Sequence, residues 1–128
     1  MKSTGAALGR RAESLAAAWY EEQGWRIVDR NWRCSYGEID LVAHDGDTLV
    51  FCEVKARSGD LFGAPEEAVT PVKRSRVRRA ARAWLAAGGS GCGTEAPQRP
   101  RGVPRFTGIR FDVVSLGPDG LRVIEGAF

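Results

Sequence analysis

The chain has 128 residues and a net charge of +3, with 19 Lys and Arg against 16 Asp and Glu. This length suits one domain with a core of modest size, and we predict a single domain over residues 1–128. No apolar run approaches the roughly 20 residues of a membrane span, and the first residues do not form a signal peptide. The lack of such a run predicts no membrane partner. Three cysteines without C-x-x-C spacing predict reduced thiols and a cytoplasmic location.

The first predicted element is an amphipathic helix over residues 7–23. Its apolar side chains recur at helical spacing, at Leu8, Ala12, Leu15, Ala16 and Trp19. Gly24 follows as a typical helix end. Glu13 falls at the edge of the apolar stripe, so it either leans over a sheet end or faces solvent. The helical pattern alone does not decide between these two positions.

Three strands are predicted next, over residues 25–33, 36–44 and 48–57. The last two form a hairpin, because Asp45-Gly46-Asp47 between them tolerates the positive φ of a tight turn. His44, the only histidine of the chain, is expected at the end of its strand and near the site described next.

Charged side chains lie inside both arms of this hairpin, at Asp40 in one strand and at Glu53 and Lys55 in the next. Burying a charge within an apolar strand is costly unless the charge pairs or binds a metal. Strict alternation places these three side chains on one face of the sheet and places Ile39 and Leu41 on the other. A cross-strand salt bridge is the simplest alternative explanation of the cluster.

The turn decides which acid faces Glu53. A loop of Gly46-Asp47, or of all four residues 45–48, sets Asp40 directly opposite Glu53, whereas a loop of Asp45-Gly46 sets Glu38 there and Asp40 diagonally. Directly opposed Cβ atoms lie about 4.5–5.5 Å apart. Two carboxylates at that distance repel unless a cation lies between them or one of them is protonated.

The chemistry of this cluster favours a hard divalent cation. Carboxylate oxygens without a neighbouring Cys or His cluster suit Mg²⁺ or Mn²⁺ rather than Zn²⁺. Lys55 beside such an ion can hold or help activate a bound water and neutralise charge that develops on a phosphate. These are the groups that phosphodiester hydrolysis needs.

The second half of the chain is basic. Residues 1–67 carry a net charge of −4, and residues 68–128 carry +7. A second helix is predicted to begin after the N-cap Thr70, with Pro71 at its first position, and to run to about residue 87. The side chains of this helix that we expect to contact nucleic acid are Lys73, Arg74, Arg76 and Arg78. A solvated helix face is the alternative.

The remainder of the chain completes an α/β prediction. Residues 88–104 are rich in Gly, Pro and Arg and predict a mobile loop. Strands over 109–116 and 121–125 then form a closing hairpin. We therefore predict a mixed central sheet flanked by helices, in the order α-β-β-β-α-β-β.

Motifs along nearly the whole chain resemble the YraN-like family. They are Leu8-Gly9-Arg10, Ala12-Glu13, Gly24-Trp25-Arg26-Ile27, Arg30-Asn31-Trp32-Arg33, Gly37-Glu38-Ile39-Asp40-Leu41, residues 50–57, Phe62-Gly63, Thr70-Pro71-Val72-Lys73 and residues 110–114. That family is similar in fold to archaeal Holliday-junction resolvases and belongs to the PD-(D/E)xK nuclease superfamily. The resemblance implies a restriction-endonuclease-like core. One departure is Ala12, where the family often has Gly.

The resemblance also implies roles for the charged residues. Asp40 and Glu53 look like metal-binding acids, Glu13 like an additional acid of the site, and Lys55 like the catalytic lysine. The implied activity is Mg²⁺- or Mn²⁺-dependent endonucleolytic hydrolysis of DNA, including branched or damaged DNA, by a homodimer. Two alternatives stay open: a non-catalytic nucleic-acid-binding module, and an interaction protein whose acidic cluster is an ion-pair network.

Overall fold

A computed structural model describes residues 5–56, 70–87 and 104–128. Its helices and strands are α1 (Gly5–Glu22), β1 (Arg26–Cys34), β2 (Gly37–His44), β3 (Thr48–Ala56), α2 (Pro71–Ala86), β4 (Gly108–Gly117) and β5 (Gly120–Ile124). The predicted α/β class, a mixed sheet flanked by helices, is confirmed. The predicted mobile loop over 88–104 lies outside the described residues, apart from Pro104.

The five strands form one sheet in the spatial order β1-β2-β3-β4-β5. Strands β3 and β4 run parallel, and the other described neighbours are antiparallel. A parallel pair requires a crossover connection, and α2 lies within the connection between β3 and β4. This crossover places the first turn of α2 in contact with the end of β3, as the ion pairs described below show.

Each helix packs against the sheet through its own buried cluster. The α1 cluster contains Ala16, Ala17, Tyr20, Leu41, Ala43, Val50, Cys52 and Val114. The α2 cluster contains Trp32, Ile39, Val42, Leu49, Phe51, Ala80, Ala81 and Trp84. Neighbouring residues of β3 alternate between the two clusters, as strand geometry requires. The helices therefore cover opposite faces of the sheet.

The local signals of α2 work as the sequence predicts. Thr70 is the N-cap, and its Oγ1 accepts a hydrogen bond from the backbone N–H of Lys73 at 3.3 Å, while Pro71 opens the helix. The predicted apolar face is buried at Val77, Ala80, Ala81 and Trp84. This orientation leaves most of the basic side chains of α2 away from the core.

The apolar stripe of α1 differs from the prediction. Leu15 is exposed, whereas Tyr20 is fully buried and packs with Ala16 against the sheet. The helix is thus rotated slightly from the orientation that the large side chains suggested. Small alanines on the buried side let the helix approach the sheet closely. No helix among the described residues is long and apolar enough to cross a membrane.

Candidate active site

The β2–β3 hairpin brings Asp40 and Glu53 together. His44 pairs with Leu49 and Leu41 pairs with Cys52, the last paired residues of this ladder on the side of the site. This register is the one that a Gly46-Asp47 loop and a loop of residues 45–48 both predict, and Asp40 and Glu53 lie next to each other just beyond the last pair.

The chemistry of the turn explains this register. The Oδ1 atom of Asp45 accepts hydrogen bonds from the backbone N–H groups of Asp47 at 2.9 Å and Thr48 at 2.8 Å. Gly46 has a φ of 105°, which a side chain would strain. Both features stabilise the tight turn between β2 and β3.

The prediction that side chains of β2 alternate strictly between the two faces of the sheet is wrong at Asp40. Ile39 belongs to the α2 cluster together with Val42, whereas Leu41 belongs to the α1 cluster. The backbone N–H of Val54 in β3 donates to Oδ2 of Asp40 at 2.7 Å. Because this carboxylate accepts from the backbone of the neighbouring strand, it lies in the gap between β2 and β3 rather than upright on either face.

A cavity of about 520 Å³ opens beside this gap. It is lined by Glu13, Arg33, Cys34, Gly37, Glu38, Asp40, Glu53, Val54, Lys55, Lys73, Arg76 and Val77. The four predicted site residues Glu13, Asp40, Glu53 and Lys55 therefore meet at one place, contributed by α1, β2 and β3. Helix α2 closes the cavity from the side.

Glu53 is the most heavily paired acid of the cavity. Its Oε1 atom lies 3.3 Å from Nζ of Lys55 and 3.1 Å from Nζ of Lys73. The Glu53 side chain is only 8% exposed, whereas the two lysines are 30% and 36% exposed. Burial and the neighbouring Lys73 lower the pKa of Lys55. One buried carboxylate thus holds two ammonium groups at the mouth of the cavity.

Asp40 has the opposite environment. Burial, followed by the charge of Glu53, raises its pKa to about 7, and Glu13 and Glu38 add to this effect, while the hydrogen bond from Val54 opposes it. Several carboxylates therefore share a space that disfavours their combined negative charge. Such a space favours either a proton or a cation at Asp40.

Glu13 faces the cavity rather than bulk solvent, and Asn31 of β1 holds it there. In the amide orientation that satisfies both groups, the Asn31 nitrogen donates to Oε2 of Glu13 at 3.0 Å and to Oε1 at 3.2 Å. Asn31 has a φ of 51°, a left-handed conformation that Asn tolerates better than most residues. Sequence reasoning assigned Asn31 no role. Its occurrence inside a strand was the available signal, because Asn is depleted there.

The four predicted nucleic-acid contacts divide into two pairs. Lys73 and Arg76 line the cavity. Arg74 and Arg78 instead lie over the ring of Phe128, with their guanidinium carbons 5.7 Å and 5.6 Å from its centre. The structure therefore brings one pair to the candidate site and directs the other elsewhere, because residues of one helix point in different directions around its axis.

The two remaining polar residues of β2, Glu38 and His44, have different surroundings. Glu38 lines the cavity but pairs with Arg33 at 3.2 Å, and both side chains are largely exposed. His44 was expected near the site, and this is wrong. It lies four residues beyond Asp40, about 13 Å along the strand, and its Nε2–H donates to the backbone carbonyl of Arg105 at 2.7 Å.

The donor set of the cavity suits a hydrated hard cation. No three His, Cys, Asp or Glu side chains in the described part of the chain are arranged to enclose a metal by themselves. Mg²⁺ commonly uses one or two carboxylates and keeps several waters. Asp40 and Glu53 match that requirement. Glu13, whose oxygens accept from Asn31, fits better as a group that contacts bound water.

The model of a family described as "Uncharacterised protein family UPF0102" matches residues 12–116. The chain belongs to the UPF0102 family. The predicted YraN-like membership is thereby confirmed. The matched segment includes all four acidic and lysine residues of the candidate site, and the family description states no activity.

Individual relatives agree with this assignment. A UPF0102 protein of Acidothermus cellulolyticus is 44% identical over 128 residues, covering 95% of this chain and 93% of the relative. One from Frankia alni is 45% identical over 127 residues, covering 95% and 94%. Another from Geobacter sulfurreducens is 44% identical over 126 residues, covering 94% and 88%. This UPF0102 protein therefore matches these three relatives over 88–94% of their length.

Proposed function

We propose that this UPF0102 protein is a metal-dependent endonuclease that hydrolyses phosphodiester bonds in DNA, with branched or damaged DNA among its substrates. One observation carries the proposal: acids and lysines from four separate elements converge on a single cavity. These residues are Glu13, Asp40, Glu53, Lys55 and Lys73. The convergence gives the site both oxygen ligands for a cation and positive charge for a phosphate.

Asp40 and Glu53 are the residues that would hold Mg²⁺ or Mn²⁺. When bound, the ion would supply an activated water and stabilise negative charge on the scissile phosphate and leaving oxygen. The strands position both acids, because Asp40 accepts from the backbone N–H of Val54 and Glu53 directly follows Cys52, which pairs with Leu41 of β2. Groups held on strands need little reorganisation before the reaction.

Lys55 is placed to act beside this pair. Its ammonium group lies 3.3 Å from Oε1 of Glu53 and remains partly exposed to the cavity. From there it can orient the attacking water and neutralise charge on a phosphate oxygen. Glu13, fixed by the amide of Asn31, is placed to accept a hydrogen bond from the same water. Lys55 belongs to β3 and Glu13 to α1, so the two side chains reach the cavity from different elements.

A polyanionic substrate explains the basic surroundings. Lys73 and Arg76 line the cavity, and residues 68–128 carry a net charge of +7. Positive charge around an acidic centre attracts the DNA backbone and offsets repulsion between phosphate and carboxylates. The proposed homodimer follows the symmetry of four-way junctions, and it stays a prediction, as does the cytoplasmic location.

The test is cleavage of defined DNA substrates with and without Mn²⁺. Linear, nicked, forked and four-way DNA are each incubated with the purified protein. We expect metal-dependent cleavage of at least one substrate, reduced by about 100-fold or more in Asp40→Asn and Lys55→Ala. The matched control is Asp119→Asn, which changes an exposed acid between β4 and β5 and is expected to keep full activity.

The same samples distinguish the alternatives. DNA binding that needs no metal, with no cleavage of any substrate, identifies a binding module and contradicts the nuclease proposal. If the protein binds neither DNA nor RNA at low salt, where phosphate contacts are strongest, both the nuclease and the binding module are contradicted. In that case the contacts of Glu53 with Lys55 and Lys73 form an ion-pair network with a purely structural role.

A further inference from the structure

An exposed aromatic side chain lies at the edge of the candidate active site. Tyr36 occupies the short turn between β1 and β2 and is 46% exposed. The guanidinium carbon of Arg79 in α2 lies 4.8 Å from the centre of its ring. This distance is within the range of a cation–π contact. The tyrosine therefore has a cationic neighbour but keeps nearly half of its surface open.

The turn that carries Tyr36 is continuous with the cavity. Gly37, the next residue, lines the cavity. A Cβ atom on Gly37 would lie 3.6 Å from Cβ of Arg76, so α2 packs closely against this turn. Tyr36 is thus one residue away from the wall that also contains Asp40 and Glu53.

Three basic side chains of α2 lie between the cavity and Tyr36 or beside one of them. Lys73 and Arg76 line the cavity, and Arg79 covers Tyr36. Residues spaced by three are neighbours on a helix surface, and six residues advance about 9 Å along the axis. A stacked nucleic-acid strand advances about 3.4 Å per nucleotide. The distance from Lys73 to Arg79 along the helix axis therefore corresponds to two or three stacked nucleotides.

We propose that Tyr36 and Arg79 form a stacking platform for an unpaired base, two or three nucleotides from the phosphate that enters the cavity. Aromatic rings bind bases of any sequence through their faces, and arginine adds charge attraction. A base inside an intact duplex cannot reach such a ring. The inference rests on the proposed function and narrows its substrate class to DNA with a single-stranded segment beside the cleaved bond, as in forks and flaps.

The other exposed large apolar side chains of the described residues provide no second aromatic ring beside the cavity. Leu15, Val72, Phe106 and Ile109 are exposed, and of these only Phe106 carries an aromatic ring. Phe106 instead lines a second cavity that contains Gly46 and Arg105. Phe106→Ala is therefore the matched control, since it removes an exposed aromatic ring away from the candidate active site.

The test measures DNA binding apart from cleavage. Fluorescence anisotropy with labelled forked and fully paired DNA is recorded at low salt in EDTA, in the Asp40→Asn background. We expect Tyr36→Ala to weaken binding of forked DNA by about 5- to 100-fold and to change duplex binding by less than about twofold. Tyr36→Phe keeps the ring and should bind like the parent. The Phe106→Ala variant should do the same.

A second readout locates the base. The adenine analogue 2-aminopurine, placed at successive positions of the single strand, loses fluorescence where it stacks. With the parent protein, we expect the fluorescence of 2-aminopurine to be quenched at two or three nucleotides from the fork junction. With Tyr36→Ala, we expect no quenching. Circular dichroism of each variant verifies folding, which an exposed side chain should not disturb.

The outcomes separate this inference from the nuclease proposal. If Tyr36→Ala binds forked DNA as tightly as the parent does, or weakens fork and duplex binding equally, the platform is disproved even when the wild type cleaves DNA. If fork binding depends on Tyr36 but no substrate is cleaved with Mn²⁺, the nuclease proposal fails and the platform stands.

Discussion

Asp112 and Asp40 are both buried carboxylates of the same sheet, yet their surroundings are opposite. Asp112 of β4 is fully buried and accepts four hydrogen bonds. The donors are the hydroxyl of Tyr20 at 2.7 Å, Nε and Nη2 of Arg110 at 2.8 Å each, and the backbone N–H of Gly126 at 2.9 Å. Both oxygens are thus supplied with donors, and an Arg neutralises their charge.

Asp40 of β2 is also buried, and it accepts from the backbone of Val54. However, burial and then the charges of Glu53, Glu13 and Glu38 raise its pKa to about 7. Asp40 therefore lies next to a cavity among acids that repel it, whereas Asp112 is held by an Arg and by further donors of the same chain.

The difference separates a structural acid, Asp112, from Asp40, the acid that we propose to be functional. Asp112 joins α1, β4 and the segment after β5 through partners that are all within the chain. Charged groups that repel each other in a cavity cost folding free energy, and such sites are typical of ligand binding and catalysis. Spacing does not reveal the difference, since Arg110-x-Asp112 and Glu53-x-Lys55 both place opposite charges two residues apart on one strand.

Removing the two aspartates should have contrasting effects on stability. We expect Asp112→Ala to lower the free energy of unfolding by about 3–5 kcal/mol, because Arg110 and Tyr20 lose a buried partner. Asp40→Asn should leave stability unchanged or raise it by about 1 kcal/mol, because it removes repulsion. Urea unfolding of both variants measures this. Equal losses in the two variants would contradict the comparison.

Divalent cations should stabilise the protein through the Asp40 region alone. At a free Mn²⁺ concentration of about one hundred times the dissociation constant, we expect the free energy of unfolding to rise by about 2.7 kcal/mol. Asp40→Asn should lose this gain, and the exposed control Asp119→Asn should keep it. Thermal unfolding with Mn²⁺ or EDTA gives the result without any DNA. A gain that survives in Asp40→Asn places the ion elsewhere.

The pH dependence of stability should distinguish the same two regions. The pKa of Asp40 is raised from 3.8 to about 7 in the folded protein, so the folded state binds this proton more tightly than the unfolded state does. Its contribution to stability is therefore greatest below about pH 4, falls as pH rises towards 7, and is constant above that.

The difference between wild type and Asp40→Asn isolates this contribution from those of other acids. In EDTA, urea unfolding between pH 4.5 and 7.5 should show the wild type losing stability relative to the variant as pH rises. Saturating Mn²⁺ should abolish the trend, because a bound cation favours the ionised carboxylate. A difference that does not change with pH would show that Asp40 is ionised throughout.

The smallest expected effect concerns the residue that positions Glu13. Removing the amide in Asn31→Ala should lower the rate of DNA cleavage by about tenfold and leave DNA binding nearly unchanged. Asn31→Gly is the companion variant, since Gly accepts the φ of 51° without strain. Equal loss in both variants assigns the effect to the amide. Loss in Asn31→Ala alone assigns it to the backbone.

Sequence reasoning reached most of the fold and the acidic core of the site. Predicted element bounds agree with the structure within two residues at each end, because helical spacing, strand alternation and the Thr70-Pro71 cap are local signals. The hairpin turn likewise limited the register to a few choices. The closeness of Asp40, Glu53 and Lys55 could therefore be predicted from residues that are neighbours along one hairpin.

Contacts between distant segments could not be predicted in this way. The pairing of Lys73 with Glu53, the amide of Asn31 on Glu13 and the ring of Tyr36 beneath Arg79 each join two elements. Their geometry depends on how far each helix is rotated and shifted against the sheet.

The amino-acid sequence by itself determined which segments become strands and helices and which acids share a hairpin. Only the tertiary structure decided that Lys73 and Arg76 face the cavity while Arg74 and Arg78 do not. Local patterns follow from backbone geometry within a few residues. The direction of a helical side chain depends instead on packing against a distant surface, which no short pattern contains.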